Sequence, residues 1–349
     1  MKILGLDIGA GTKDVFLYNS DIDLENCVKM VLPSPTILYS NRLHRFHGDL
    51  YIDGYAIGGG NLAVQLKKHI AKGYSVFMTK EAAFTLYNRI ERVKALGIKI
   101  AERPPDNFKG AHLRLDEVNL NHLAGFLSSV GASIEDLDGI AIAVQDHGVP
   151  PKDIGQNKFR LMKFHEYFSQ KPKILEALFS SNEVPDYYIR MRSAIKSASM
   201  DMSKKIFVMD STLAAVAGCI YASLKSATVI VAVNIGNSHT TSAIVREGRI
   251  AGFMEHHTSL LTPRKLERLL NEFMAGELRD EAILEDGGHG GFYLSRALQN
   301  KDASILVTGP RRSMMKETNL KSLIASPTGD VMMTGVFGLV KATERKLLS

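Results

Sequence analysis

The chain has 349 residues, 45% hydrophobic and 23% charged, a balance that suits a soluble globular protein of roughly two domains. Its net charge of +6 is spread along the chain without a basic run, which fits an anionic small ligand and marks no nucleic-acid arm. Two isolated cysteines, Cys27 and Cys219, exclude a disulfide framework, a zinc knuckle and a cysteine-held iron–sulfur cluster.

The chain opens on strand-like Lys2–Leu6, so no signal peptide is expected. The longest apolar run, Ala214–Leu224, falls short of the roughly 18 residues of a membrane span, and a cytoplasmic location is the default. The first segment reads strand, glycine turn, strand (KILGLD, IGAGT, KDVFLY), with further strands at Val28–Leu32 and Leu50–Ile52. Ile57–Gly60 leads into a helix over Asn61–Ala71, and this glycine run reads as a flexible loop rather than an anion site. A long helix is expected over Thr79–Leu96, capped by Thr79 and stopped by Gly97, and another over Asp116–Val130. Gly139–Val144 is continuously apolar, the mark of a strand covered on both faces.

Residues 150–200 mix helical stretches with prolines. Ile206–Met209 is a short strand ending at Asp210, and an alanine-rich helix follows over Thr212–Leu224. The pattern then restarts, with a strand at Ala227–Val233, the turn IGNSHT, and strands at Thr241–Val245 and Arg249–Glu255. Thr262-Pro263 opens a helix. Glu285–Gly291 is too glycine-rich for a packed element and reads as a mobile loop or a long connection. Ser304–Val307 is a strand closed by Thr308-Gly309, and Val331–Leu347 is the last helix. The echo of strand, glycine turn and strand at residues 2 and 227 predicts two related lobes.

The turn at Asp7–Thr12 has the chemistry of a phosphate cradle. Gly9 and Gly11 allow a tight hairpin whose amides approach an anion, Thr12 offers a hydroxyl beside Lys13, and Asp7 can hold a metal-bound water. The second turn repeats the shape with Gly236 and Asn237, and with donors from Ser238, Thr240 and Thr241. An ordinary hairpin explains either turn alone; the pair is harder to explain so.

Together these turns resemble the paired phosphate motifs of the actin/Hsp70/sugar-kinase superfamily. Three further segments follow in its order. Val307-Thr308-Gly309 looks like the adenosine motif, residues 330–339 are similar to its closing helix, and Asp210 heads a helix like the connecting segment of carbohydrate kinases. The resemblance implies an α/β fold of two duplicated ribonuclease H-like lobes, with mixed sheets flanked by helices. The first lobe would span 1–210, with insertions near 53–135 and 150–200, and the second 211–349, its helix 331–347 packing back at the interface.

The same resemblance implies ATP and Mg2+ as ligands. Asp7, Gly9, Gly11, Thr12, Lys13, Gly236, Asn237, Ser238, Thr240, Gly309 and Arg311 would hold the nucleotide, and Asp7, Asp210 and Asn234 the metal. Asn234 stands where many relatives carry aspartate. Metal binding then rests more on Asp7 and Asp210, or catalysis is altered or lost.

Asp210 is the expected base of a small-molecule kinase, against the plainer role of helix N-cap. Val144–Gly148 resembles the sugar-contacting stretch of xylulokinase-like enzymes, which would make Asp146 and His147 a second acid–base pair, against the plainer reading of a turn with a satisfied histidine. His256-His257 is a poor metal site, because neighbouring residues do not share a face. Stretches such as DIGAGTKDV, IGGGNLAVQLKKHI and AVQDHG resemble the domain of unknown function 1786 group. Members have been labelled pyruvate formate-lyase activating enzymes, but a radical enzyme of that kind needs three clustered cysteines. The expected partner is a small phosphoryl acceptor of unread identity, with no nucleic acid and no membrane; a homodimer or a protein partner stays open. The rival reading is a nucleotide-dependent ATPase, regulator or activator without an acceptor.

Overall fold

The computed structural model describes residues 1–199, 204–223, 229–295 and 303–349. The chain begins with an antiparallel meander, β1 (Lys2–Ile8), β2 (Thr12–Asn19) and β3 (Val28–Pro33). It then leaves through α1 (Pro35–His44) into β4 (Leu50–Gly54), α2 (Gly60–Ala71), β5 (Val76–Met78), α3 (Lys80–Ala83), α4 (Ile90–Lys94), β6 (Lys99–Ile100) and β7 (Ala111–Leu115). It returns by α5 (Leu120–Ser129) to β8 (Gly139–Val144), which lies parallel to β1. After α6 (Gln156–Gln170), β9 (Leu178–Ser180) and α7 (Ile189–Ser199), β10 (Ile206–Met209) adds parallel to β8. The order is β3-β2-β1-β8-β10-β9. Six buried residues in a row make β8 the centre of this sheet, as its apolar run requires.

The second lobe repeats the plan. Helix α8 (Ser211–Ala222) leads to β11 (Val229–Ile235), β12 (His239–Arg246) and β13 (Arg249–His257), then α9 (Pro263–Ala275), α10 (Asp280–Glu285), β14 (Gly290–Tyr293), β15 (Ser304–Thr308), β16 (Ser322–Ile324) and α11 (Thr334–Leu348). Its sheet runs β14-β13-β12-β11-β15-β16, with β11, β12 and β13 antiparallel and β15 and β16 parallel to β11. Three antiparallel strands followed by two parallel ones, twice over, is the duplicated ribonuclease H-like fold of actin, Hsp70 and sugar kinases. The first two strands of each lobe match in length and spacing at an offset of 227 residues, Lys2 to Val229 and Thr12 to His239.

Helices α8 and α11 cross between the two sheets. α8 packs on β11 and β15, α11 on β1, β2 and β8. The crossing is made of glycine: a methyl on Gly338 would lie 2.3 Å from the Ala214 carbonyl oxygen, and one on Gly218 1.9 Å from that of Thr334. The main buried cluster therefore draws on both lobes, joining Phe16, Ala143, Phe207, Val216, Phe253 and Val340. Among the described residues no helix is long and apolar enough to cross a membrane.

Four expectations need correction. Thr79 does cap, taking the Ala82 amide at 3.3 Å, but the helix breaks over residues 84–89. There Thr85 accepts the Ile57 amide, Asn88 donates to the Gly148 carbonyl, and Arg89 donates to the carbonyls of Pro151 and Lys152. Tertiary contacts thus override helical propensity. The helix expected from Asp116 starts at Leu120, because Glu117 is drawn into an ion pair and Asn119 caps.

Glu285–Gly291 is no loop. It closes α10, turns at Gly287 and begins β14, whose glycines lie against Phe253 and Met254 of β13. The last helix begins with a 3-10 turn, Val331–Met333. The ends placed at Leu224 and Ala227 lie outside the described residues.

Residues 50–115 also hold an unexpected second sheet, β6-β5-β4-β7, all parallel and closed over Ile52, Leu62, Leu66 and Met78.

Candidate functional site

The two hairpin turns are superposable in hydrogen bonding. Gly9 donates to the Thr12 carbonyl and Gly236 to the His239 carbonyl, both at 2.9 Å, while Asp7 pairs with Asp14 and Asn234 with Thr241. They face one another and touch, since a methyl on Gly11 would lie 2.5 Å from Asn237 Nδ2. Between them opens a cleft of about 490 Å³, lined by Asp7, Gly9, Thr12, Asn234, Asn237 and Ser238 among others. Glycine turns of this kind can offer their free amides to an anion.

The duplication has diverged in charge. Asp7 and Asp14 line the cleft from the first lobe; the equivalent residues of the second, Asn234 and Thr241, are neutral. Burial, then Asp14 and Asp210, hold the Asp7 carboxyl well above its usual range, against the lowering influence of Arg190. Burial likewise pushes Asp14 up to about 7, with its Oδ1 buried and unpartnered. Gly335, in the first turn of α11, packs on Asp7, where a methyl would lie 2.3 Å from Oδ2.

Behind the turns lies a polar network that residue order alone did not reveal. Arg160, on α6, is fully buried and uses all its donors. Nε reaches Glu255 Oε2 at 2.9 Å, Nη1 the Asp146 carbonyl and Asp210 Oδ2, and Nη2 Asp210 Oδ1 and Thr212 Oγ1. Asp210 caps α8 through the Thr212 amide at 3.0 Å. Its carboxylate is thus committed to a bidentate ion pair and a cap, and as it stands offers no lone pair to an acceptor's proton. Glu255 is held well below the carboxylate range despite a burial that opposes it, chiefly by Arg160.

Asp146 lines the cleft and is buried; its oxygens take the amides of Gly148 at 2.8 Å and Met191 at 3.0 Å, and burial raises its carboxyl. A second arginine, Arg190, grips both oxygens of Glu117 and donates to the carbonyls of Ile8 and Gln145, fixing the base of the first turn.

Histidines fill the far wall. His147, after β8, meets His239, the residue equivalent to Thr12, and His289, just before β14; their ring nitrogens lie within 4.8 Å of one another. His257 Nε2 stands 3.3 Å from His289 Nε2. Desolvation lowers His147 well below its usual value and brings His239 to about 4, so both rings are neutral near pH 7. His256 points elsewhere, to Asp286 at 3.3 Å, as the alternation of a strand demands.

Other expected residues sit apart from the cleft lining. Thr240 is buried against Thr258, Arg311 is exposed, its backbone amide donating to the Ile235 carbonyl and its carbonyl accepting from the Met314 amide, and Lys13 lies on the strand face away from Thr12, with Glu117 the charge that acts on it. Gly309 lines the cleft at φ +95°, close to Asn234. The glycine run Gly58–Gly60 lines it too, wedged against Arg190 and the Thr85 carbonyl rather than loose.

Residues 57–314 match the family profile described as "Putative pyruvate format-lyase activating enzyme (DUF1786)". The chain belongs to that family. No curated protein matches it. Among solved structures it is similar to the inorganic polyphosphate/ATP-glucomannokinase of Arthrobacter sp. strain KM, at 11% identity over 100% of this chain and 99% of that one, TM-score 0.38. It is also similar to a Bacteroides thetaiotaomicron protein with actin-like ATPase fold and unknown function, at 9% identity over 96% and 95%, TM-score 0.40. A third is the activator of the 2-hydroxyisocaproyl-CoA dehydratase from Clostridium difficile with bound ADPNP, at 9% over 100% and 98%, TM-score 0.34.

Proposed function

We propose that this DUF1786 member binds ATP with Mg2+ between its two turns and hydrolyses it, coupling lobe closure to nucleotide state rather than passing the phosphoryl group to a fixed acceptor. The observation that carries this is the state of Asp210. The carboxylate at the place of a kinase base is locked by Arg160 in a bridge that continues to Glu255 in the other lobe. A group so held joins the lobes.

The residues fit a nucleotide and its cation. Asp14 Oδ1 is a buried oxygen without a partner, and Asp7 is a crowded carboxyl open to the cleft. Such a pair of oxygen donors suits a hard divalent cation. Asp7 and Asp14 would hold Mg2+, which when bound draws charge from phosphate oxygens. The turn residues Ala10 and Gly11 would hold phosphate from one side, Asn237 and Ser238 from the other. Closure of the lobes excludes water and strengthens these contacts. The family's activase label needs clustered cysteines, whereas Cys27 and Cys219 are each buried in separate elements.

Phosphoryl transfer to a small molecule is the second reading. The cleft runs on past the turns to Asn88, Arg92, Gln145 and Gln156, a polar extension with room for an acceptor. In that case Asp210 must leave Arg160 before it takes a proton. The deciding experiment measures ADP release with and without a panel of polyols, carboxylates and cofactor precursors, beside the melting temperature with ATP–Mg2+. A nucleotide-dependent rise in melting temperature with unstimulated ADP release is expected; at a hundredfold excess over Kd the stabilisation is about 2.7 kcal/mol. Acceptor-stimulated release would transfer the case to the kinase, and no thermal shift would remove both readings.

A further inference from the structure

We propose that His147, His239 and His289 form a binding site for a nitrogen-preferring divalent metal of the zinc class, separate from the oxygen-lined place of Mg2+ and open to the same cleft. Three imidazoles from three distant segments bring one ring nitrogen each within 4.8 Å of the others. A zinc ion with nitrogens at about 2.0–2.1 Å needs them roughly 3.4 Å apart in a tetrahedron. Closing that gap takes side-chain rotations of about 1 Å. His257 already has Nε2 3.3 Å from that of His289 and stands as an added ligand or the first neighbour of the site.

The surroundings are those of a metal centre. Glu255 Oε2 lies 3.4 Å from His289 Nδ1, on the opposite edge of the ring from Nε2, which meets His257. Glu255 is itself fixed by Gln145 at 2.6 Å and Arg160 at 2.9 Å. A carboxylate behind a ligating histidine sets its tautomer and orientation. Imidazole donors select zinc and its transition-metal neighbours over Mg2+.

His147 and His239 line the cleft, so a position not taken by protein would face the bound substrate or water. His147 belongs to the first lobe and the other rings to the second, and His239 closes the second phosphate turn. A metal here ties the lobes together and meets the nucleotide turn directly. The alternative is a cluster of packed rings, with His257 and His289 sharing one hydrogen bond, which binds nothing.

The test is a titration of the full chain, stripped with chelator and free of nucleotide, with Co2+ followed by its visible absorption. One equivalent is expected, with Zn2+ displacing it and Mg2+ leaving the spectrum unchanged. His147→Ala and His239→Ala should each weaken Co2+ by about 100-fold or more, beyond the 10–100-fold typical of an outer partner. His256→Ala, whose ring points to Asp286, should leave affinity unchanged. Should the alanine variants not fold, paramagnetically shifted imidazole N–H resonances of the Co2+-loaded wild type provide the count of bound rings, at least three. No stoichiometric binding, a count below three, or wild-type affinity in both folded alanine variants would overturn the site. Because no nucleotide is present, these outcomes are independent of whether ATP binds.

Discussion

Replacing Arg160 by methionine removes a cation that serves two buried carboxylates, Asp210 and Glu255. The guanidinium and both acids are 0–1% exposed, so water cannot take over its role. Breaking one buried ion pair costs about 3–5 kcal/mol, most of it from the charge left unpaired. Here one substitution leaves both Asp210 and Glu255, and it also removes the donors to Thr212 and to the Asp146 carbonyl.

The expected loss is therefore about 5 kcal/mol, close to the whole stability of many domains. Neutralising the two acids in the same background, as Arg160→Met with Asp210→Asn and Glu255→Gln, should recover most of it. A double-mutant logic isolates the charge contribution, since the groups are in contact. Urea unfolding at pH 7.5, read by midpoint and slope, measures each variant. A loss below about 1 kcal/mol, or a triple variant no more stable than the single one, would refute the electrostatic account of the bridge.

Asp14→Asn should stabilise the nucleotide-free, chelated protein, and more so as pH rises. The folded carboxyl keeps its proton up to about 7, while the unfolded one releases it near 3.8, so wild-type stability falls between those values by up to about 4 kcal/mol. Equal melting differences at pH 5 and pH 8 would contradict this. Asp7→Asn should raise the ligand-free melting temperature at pH 8 and abolish the ATP–Mg2+ shift, both read in one thermal assay. Gly335→Ala forces a methyl onto Asp7 Oδ2 and should weaken nucleotide at least about tenfold, with an overpacking cost of about 1–3 kcal/mol. Gly125→Ala, in α5 with open space around it, should stabilise by about 0.5–1 kcal/mol in the same melts.

The paired hairpins were legible because each is local: strand, turn and strand within about twenty residues dictate their own register. β8 was legible for the same reason, as was the Asp210 cap. The helix at 79–96 failed where Thr85 and Asn88 bond to residues 28 and 60 positions away, a pull that no local period encodes. The strands of the second sheet run only two to five residues, too short for alternation to register.

Arg160 reads as one more helical cation, and its partners Asp210 and Glu255 lie 50 and 95 residues on. The histidines did leave a trace. His147, His239, His257 and His289 each stand at or within three residues of a strand end, where side chains meet at the edge of an open sheet.

The glycine crossing of α8 and α11 sets how the molecule can open. Where backbone rests on backbone, there are no side chains whose rotamers could change to let one helix slide along the other. At that point the joint favours turning of the lobes over sliding of one helix along the other. Gly335 lies one helical turn, about 5 Å, from Gly338, so Asp7 sits almost on the axis. On such a turn the rim of the cleft would travel further than Asp7. If nucleotide binds as proposed, it would exchange at the mouth without dismantling the point on which it is anchored.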